Sequence, residues 1–309
     1  GMNGDYRIYI MAARADLLHV AAVCRAVEAI GARVVQFVRE ADTYDPCVRL
    51  SVAYKGAKSL LIKALMPMAR TYPIMLGIRR EDTPVGRIGL VAFDLDSTLV
   101  RTEIMNELAT AHGCLDEMGE LTEAAMSGRE EFPDNFSRRV SMLRGLPLAK
   151  LEELSASLPI VEGLPSLMRK FKEQGIRSAI ISGGFRLYSH NIKERYGFDY
   201  ICTSEAEIEN GLLTGRLSGT IVDAEVKAEF LHSLAKELSL SPTEIVAVGD
   251  GANDLPMIGL AGLGIAFNAK PKVKATAQQS LSTVGLDGVL YFLGYKDSHI
   301  DDELLTEKL

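Results

Sequence analysis

The 309-residue sequence contains no tryptophan, and its four cysteines, Cys24, Cys47, Cys114 and Cys202, stand far apart with no C-x-x-C pair. A disulfide framework and a thiolate zinc site are therefore excluded as organising features, and a reducing, cytoplasmic compartment is the expectation. Five histidines, His19, His112, His190, His232 and His299, fall in helical or tail segments without a cluster, which argues against a histidine nucleophile or histidine-bound zinc. No apolar run approaches the roughly 20 residues that cross a bilayer as a helix. The opening "GMNGDYRIYIMAARAD" holds only a short apolar run and no cleavage signal. Dense basic runs interleaved with aromatics are missing, so neither a nucleic-acid partner nor a membrane is expected. Repeats and low-complexity segments do not occur either.

What remains is an ordinary globular composition, 47% hydrophobic and 24% charged, in a chain long enough for two domains. Charge is unevenly shared. Residues 1–85 hold 12 basic and 8 acidic side chains, whereas the rest holds 22 and 33, an acidic excess suited to a hard cation. The hydrophobic pattern changes at the same place. "YRIYIMA", "RVVQFVRE", "CVRLSVAY" and "YPIMLGIRR" read as strands, with helices over 16–30 and 57–71, the second weakened by Pro67. That βαββαβ order predicts a ferredoxin-like α+β domain over residues 1–85. The polar stretch 80–87, with Pro84 and Gly86, is the expected boundary. From Ile88, apolar strands at 88–93, 177–181, 244–248 and 263–267 alternate with amphipathic helices. This predicts an α/β domain over 86–309, a Rossmann-like parallel sheet with helices on both faces. A helical stretch, about 103 to 158, interrupts it, and "EIENGLLTGRLSG" reads as a hairpin turning at Asn210-Gly211. The charged tail, 297–309, reads as a loose helix.

Three of the parallel strands run into polar residues that a core has no use for. The first ends in Asp94-Leu95-Asp96-Ser97-Thr98, the second in Ser182-Gly183-Gly184, the third in Gly249-Asp250-Gly251-Ala252-Asn253-Asp254. Ligands of open α/β sheets sit beyond the carboxyl ends of the strands, so these segments converge on one edge. Asp94 and Asp96, two apart, address the same side. Asp94 and Asp250 offer oxygens to Mg²⁺, which binds through one or two carboxylates plus phosphate. Ser182, the glycine amides and a following helix make an anion site. Lys227 opens "KAEFLHSLAKEL" and brings a compact positive charge, while Asn253 or Asp254 caps a helix. An aspartate attacks phosphorus to give an aspartyl-phosphate. A second acid then protonates the leaving alkoxide and later deprotonates water.

This set resembles the haloacid dehalogenase superfamily of phosphatases. D-x-D-x-T is Asp94, Asp96 and Thr98, the second motif is Ser182, the third Lys227, and G-D-G-x-N-D runs from Gly249 to Asp254. The resemblance implies Asp94 as nucleophile and Asp96 as acid and base. It implies Mg²⁺ on Asp94, Asp250 and the Asp96 carbonyl, phosphate held by Ser182, Gly183 and Lys227, and Asp254 orienting the lysine. Thr98 and Asn253 come with the motifs. The helical insert occupies the place of a cap, and "DSTLVRTEIMNELA", "RRVSMLRGLP", "SGGF" and "VGDGANDLPM" are similar to the phosphoserine phosphatase branch. That branch implies hydrolysis of O-phosphoserine, the last step of serine biosynthesis. Glu103 would meet the substrate ammonium, Arg139 the carboxylate, and Met126 and Phe132 would line the pocket. Arg138 and Arg144 lie close to Arg139, and the motif alone selects among them. The N-terminal segment resembles ACT-type domains, which implies a homodimer through residues 1–85 and serine feedback. Two other readings stay open here: a phosphatase or phosphotransferase for another small phosphate ester, and an amino-acid sensor with an inert catalytic half.

Overall fold

The computed structural model describes residues 4–12, 17–40, 47–270 and 285–293; the tail expected as a loose helix, with His299, lies outside them. The N-terminal elements are β1 (Tyr6–Ala12), α1 (Leu17–Glu28), β2 (Arg33–Glu40), β3 (Cys47–Ala53), α2 (Lys58–Thr71) and β4 (Ile74–Arg80). Their strands lie in the order β2-β3-β1-β4, every pair antiparallel, which is the ferredoxin-like arrangement. Pro67 does not break α2. The helix runs on to Thr71 with Leu61, Ile62, Leu65, Met66 and Ala69 buried, and burial of that stripe outweighs one missing amide.

The second pattern opens with β5 (Leu90–Phe93), buried throughout, as a strand covered on both faces must be. Four helices follow: α3 (Ile104–His112), α4 (Leu115–Met126), α5 (Phe132–Ser141) and α6 (Leu148–Ala156). They form the expected insert. Then come α7 (Leu164–Gln174), β6 (Arg177–Phe185), α8 (Arg186–Tyr196), β7 (Tyr200–Glu209), β8 (Leu212–Ser218), α9 (Ala224–Glu237), β9 (Ile245–Gly249), α10 (Leu255–Leu260) and β10 (Leu263–Ala266). The run β10-β9-β5-β6-β7 is parallel.

The two patterns that change at 80–87 share one ten-stranded sheet, because β4 pairs antiparallel with β10 through Leu76↔Ala266, Gly77↔Ile265 and Ile78↔Gly264. Both faces are continuous across that seam. On one, Ile8, Leu50 and Ile78 join a core with Leu90, Ala247 and Ile258; on the other, Tyr9 and Met75 join Val91, Phe93 and Phe292.

Two local readings differ from expectation. The hairpin does turn at Asn210-Gly211, with φ of 54° and 75°, but its first strand begins earlier, at Tyr200, and pairs parallel with β6 before it turns. The polar run "TSEAEIE" hides that strand because only half its surface is covered. Ser182 to Gly184 belong to the end of β6 itself, and α8 starts only at Arg186.

Candidate active site

The sheet brings the ends of β5, β6 and β9 side by side, and the insert covers them. Asp94 is the first residue beyond β5, held in register by its amide on Val248 O (2.9 Å). Leu95 then turns into the core, and Ser97 takes a left-handed backbone, φ 59°. Few non-glycine residues do so. The turn is held by Ser97 N on Thr102 O (3.1 Å) and Ala269 N on Ser97 O (2.6 Å). It presents Asp94 and Asp96 to one cavity of about 30 Å³, lined also by Glu103, Met126, Phe132, Arg139, Ser182, Gly183 and Asn253. Nine expected site residues therefore meet. Lys227, Asp250 and Asp254 lie buried behind that cavity, as does Thr98, whose Oγ1 has no partner.

Lys227 ties the acids together. Its Nζ donates to Asp254 Oδ1 (2.7 Å) and Asp94 Oδ1 (3.1 Å), with no exposure at all. Burial opposes its charge, but Asp254 and Asp94 outweigh burial and hold the ammonium pKa above its ordinary value. Asp254 is fully committed: Oδ2 accepts from Asp250 N (3.1 Å) and Gly251 N (3.3 Å) while Oδ1 takes the lysine. Burial first, then the Asp94 charge, pushes its carboxyl up to about 6 against the pull of Lys227. Lys227→Met therefore strands two buried acids. Its expected cost to the metal-free protein is about 3–5 kcal/mol, and the deficit shrinks as pH falls toward 6, where a proton neutralises Asp254. Denaturant melts of both proteins at neutral and mildly acid pH check this; an equal deficit at both would remove the lysine from that role.

Asp94, Asp250 and Asp254 each bring a carboxylate oxygen within 4.8 Å of the others. The donors sort themselves. Asp254 is already spoken for, whereas Asp250 uses Oδ2 for Asn268 Nδ2 (3.0 Å) and leaves Oδ1 buried without a partner. Burial, Asp94 and then Glu103 push Asp250 well above the usual carboxylate range, although Lys270 pulls it down. An orphaned, charge-crowded oxygen is costly in an apolar interior. All-oxygen donors with an unsatisfied carboxylate fit a hard divalent cation held by Asp94 and Asp250.

On the phosphate side, Ser182 Oγ accepts from Gly184 N (3.0 Å), which leaves the hydroxyl proton to donate to an anion. Gly183 has no room for a side chain: a Cβ would stand 2.5 Å from Phe132 Cζ. On the acid side, Asp96 Oδ1 accepts from Ile104 N (3.1 Å). Burial, Glu103 and Asp94 together push Asp96 well above the usual carboxylate range, against that amide and Arg139. That shift is in the direction a general acid requires.

The insert supplies one buried cation. Arg139 lies over the Phe132 and Phe136 rings (5.7 and 5.2 Å) and donates Nε to Asn135 Oδ1 (2.7 Å). Burial lowers its pKa while Glu103, Asp96 and Glu130 raise it. Arg138 instead points outward to Glu130 (2.6 Å). Glu103 accepts from Ser97 Oγ (2.8 Å) and pairs with Lys270 Nζ (3.6 Å).

Several partners were not evident from sequence. Asn135 carries Arg139 and is itself held by Leu121 O (2.8 Å) and Glu130 (2.9 Å); its place four residues before Arg139 on one helical face was the available signal. Asn268 and Lys270 follow β10, a fourth strand end on the same edge, which the topology rule covers. Ser97 carried no signal beyond adjacency.

A sequence profile of haloacid dehalogenase-like hydrolases matches residues 91–259. The chain is 47% identical over 200 residues to a phosphoserine phosphatase of Archaeoglobus fulgidus, covering 65% of this chain and 58% of that protein. It is 36% identical to phosphoserine phosphatase SerB2 of Mycobacterium tuberculosis over 91% of this chain and 69% of that protein. Among solved structures, a phospho-aspartyl intermediate analogue of phosphoserine phosphatase superposes with a TM-score of 0.55 at 36% identity, over 57% of this chain and 85% of that one. The chain thus spans little more than half of the first relative's length, but the profile takes in β5, β6 and β9 with every motif named above. By that match, and by the geometry those motifs adopt, the chain belongs to the haloacid dehalogenase-like hydrolase family.

Proposed function

We propose that the protein is a Mg²⁺-dependent phosphoserine phosphatase. The observation that carries this reading is the pairing in one small cavity of a phosphorus-directed acid pair, Asp94 and Asp96, with a buried arginine and a buried glutamate, Arg139 and Glu103. Phosphoserine presents a phosphate, a carboxylate and an ammonium, and those three groups match the three kinds of partner. The names of the relatives support the same substrate.

In this mechanism Lys227 holds one oxygen of Asp94 and orients the carboxylate for attack on phosphorus. The Asp94 O–P bond forms as the P–O bond to the seryl oxygen breaks, and protonated Asp96 gives its proton to that oxygen. Water then attacks phosphorus, the Asp94 O–P bond breaks, and Asp96 takes the water's proton. Ser182 Oγ–H, Gly183 N–H and Lys227 meet the charge that spreads over the equatorial oxygens. Mg²⁺ on Asp94 and Asp250 supplies charge neutralisation when bound. Arg139 grips the substrate carboxylate with its fork, and Glu103 takes the ammonium. Met126 and Phe132 close the pocket, Asn253 lines it, and Thr98 packs beneath.

The test is a screen of phosphorylated metabolites with Mg²⁺, including both serine phosphate enantiomers. Phosphoserine should lead the panel; a flat profile or a non-amino-acid substrate ahead of it overturns the reading. Chelation should silence turnover and Mg²⁺ restore it. Because Asp250 sits well above the usual carboxylate range, protons compete for its oxygen. Mg²⁺ affinity by calorimetry should therefore weaken as pH falls, with proton release on binding; pH-independent affinity would contradict the assignment.

The reading extends to the whole chain. Residues 1–85 are an ACT-like unit and 86–309 the phosphatase unit, with the cap at about 103–158. We place the enzyme in the cytoplasm; no helix among the described residues is long and apolar enough to cross a membrane. Pairing of two chains through residues 1–85 is supported by β2, which forms one outer edge of the sheet and exposes Phe37.

A further inference from the structure

Helix α4 of the cap ends at Met126, and its last four carbonyls need donors from outside the helical ladder. Three are met by the turn that follows: Ser127 N on Glu123 O (3.0 Å), Glu130 N on Ala124 O (3.1 Å) and Gly128 N on Ala125 O (3.1 Å). The fourth, Met126 O, takes its hydrogen bond from Arg70 Nη1 (3.2 Å), a residue in the last turn of α2. The same nitrogen donates to Asp250 O (3.3 Å). One guanidinium thus joins three parts of the molecule: the N-terminal segment, the end of a cap helix and the loop that carries Asp250.

Its position is favourable on simple grounds. A cation at the C-terminal end of a helix meets the negative end of the dipole, and the acids around Asp250 add to that attraction. The mount is firm. Helix α2 is anchored at its other end by Lys58 Nζ on Ala261 O (2.8 Å), where α10 ends. Beneath Arg70 the cap and the loop are in close contact. A Cβ on Gly251 would stand 2.9 Å from Met126 Cε, and one on Gly128 would stand 3.3 Å from Ala252 Cβ.

The cavity under this seam is about 30 Å³, room on the order of a few waters and far below the roughly 300 Å³ at which small-molecule pockets begin. A substrate with three charged groups enters only when the cap lifts from the loop, and lifting separates Met126 O from Asp250 O. Arg70 cannot then serve both. We infer that Arg70 is a positioning residue of the N-terminal segment whose guanidinium latches the closed cap onto the metal-site loop. It touches neither substrate nor reacting atoms. It sets the fraction of molecules in which the cap is down and the site shut to substrate, and apparent affinity scales with the remaining, open fraction.

The experiment compares the full-length wild type with Arg70→Met by two readouts. Without any substrate, amide hydrogen exchange over residues 124–130 and 250–252 should quicken several-fold while the central strands are unchanged. With phosphoserine, KM should fall several-fold with kcat within about twofold, because the shut arrangement that excludes substrate is less populated while the catalytic groups are untouched. A merely structural arginine would lower Tm and leave KM and the cap's exchange at wild-type values, and that outcome overturns the inference. If Arg70→Met does not fold, Arg70→Gln, neutral and too short to reach both carbonyls, carries the same expectations. The kinetic arm rests on the phosphoserine reading. If the wild type does not hydrolyse phosphoserine, that reading fails alone, and the exchange arm decides the latch.

Discussion

Asp94→Asn is expected to abolish turnover, by at least about 10⁴-fold in kcat for every phosphate ester tested, while the protein stays folded. Removal of a residue that acts as part of a concerted set costs nearly the full chemical contribution of that set. Asparagine keeps the shape and a carbonyl oxygen that can still accept from Lys227, now 3.1 Å from Asp94 Oδ1. It cannot form the acyl phosphate. Stability moves the other way. The Asp94 charge helps to raise the pKa values of Asp96, Asp250 and Asp254, so its removal relieves crowding among buried acids. The metal-free variant should melt at or above the wild-type temperature. Single-turnover assays with phosphoserine and p-nitrophenyl phosphate, paired with thermal melts, check both halves. Residual activity above about a hundredth of wild type would remove Asp94 as nucleophile.

The acid pair was legible in the sequence because it breaks a rule. A run such as Leu90 to Phe93 predicts burial, and carboxylates placed directly after it need a reason. The strand ends at Ser182 and Asp250 break the same rule, and topology alone brings the three together. Lys227 was legible only through motif order. A lysine in the first turn of an amphipathic helix has nothing local to mark it as fully buried, and only the fold places it between Asp94 and Asp254.

What the sequence did not disclose is long-range support. Asn268 fixes Asp250 across 18 positions, and Arg70 reaches Asp250 O across 180. Such pairs leave no periodicity, and their residue types are common on surfaces. The joining of β4 to β10 was likewise hidden. Both strands read correctly as apolar segments, but edge pairing depends on which side of each sheet is left uncovered, and that is a property of the assembled layers.

Arg139→Ala should separate recognition from chemistry. Arg139 is buried, stacks on two phenylalanine rings and commits Nε to Asn135; in the proposed function the rest of its guanidinium is the fork that takes the substrate carboxylate. Loss of that fork leaves the substrate carboxylate in a closed pocket without a partner. The expected fall in kcat/KM for phosphoserine is about 10²–10³-fold, or roughly 3–4 kcal/mol at 1.4 kcal/mol per decade. For p-nitrophenyl phosphate, which has no carboxylate to place, the loss should stay within about fivefold. Arg139→Lys should recover little, because an ammonium lacks the planar fork and its Nζ cannot meet Asn135 and the carboxylate together. Truncation also loosens the Phe132 ring against Gly183, so each variant's melt must accompany its kinetics. Discrimination should persist at temperatures where the variant is fully folded. Equal losses on the two substrates would assign Arg139 to packing the cap, and the substrate's amino-acid character would then rest on Glu103 alone.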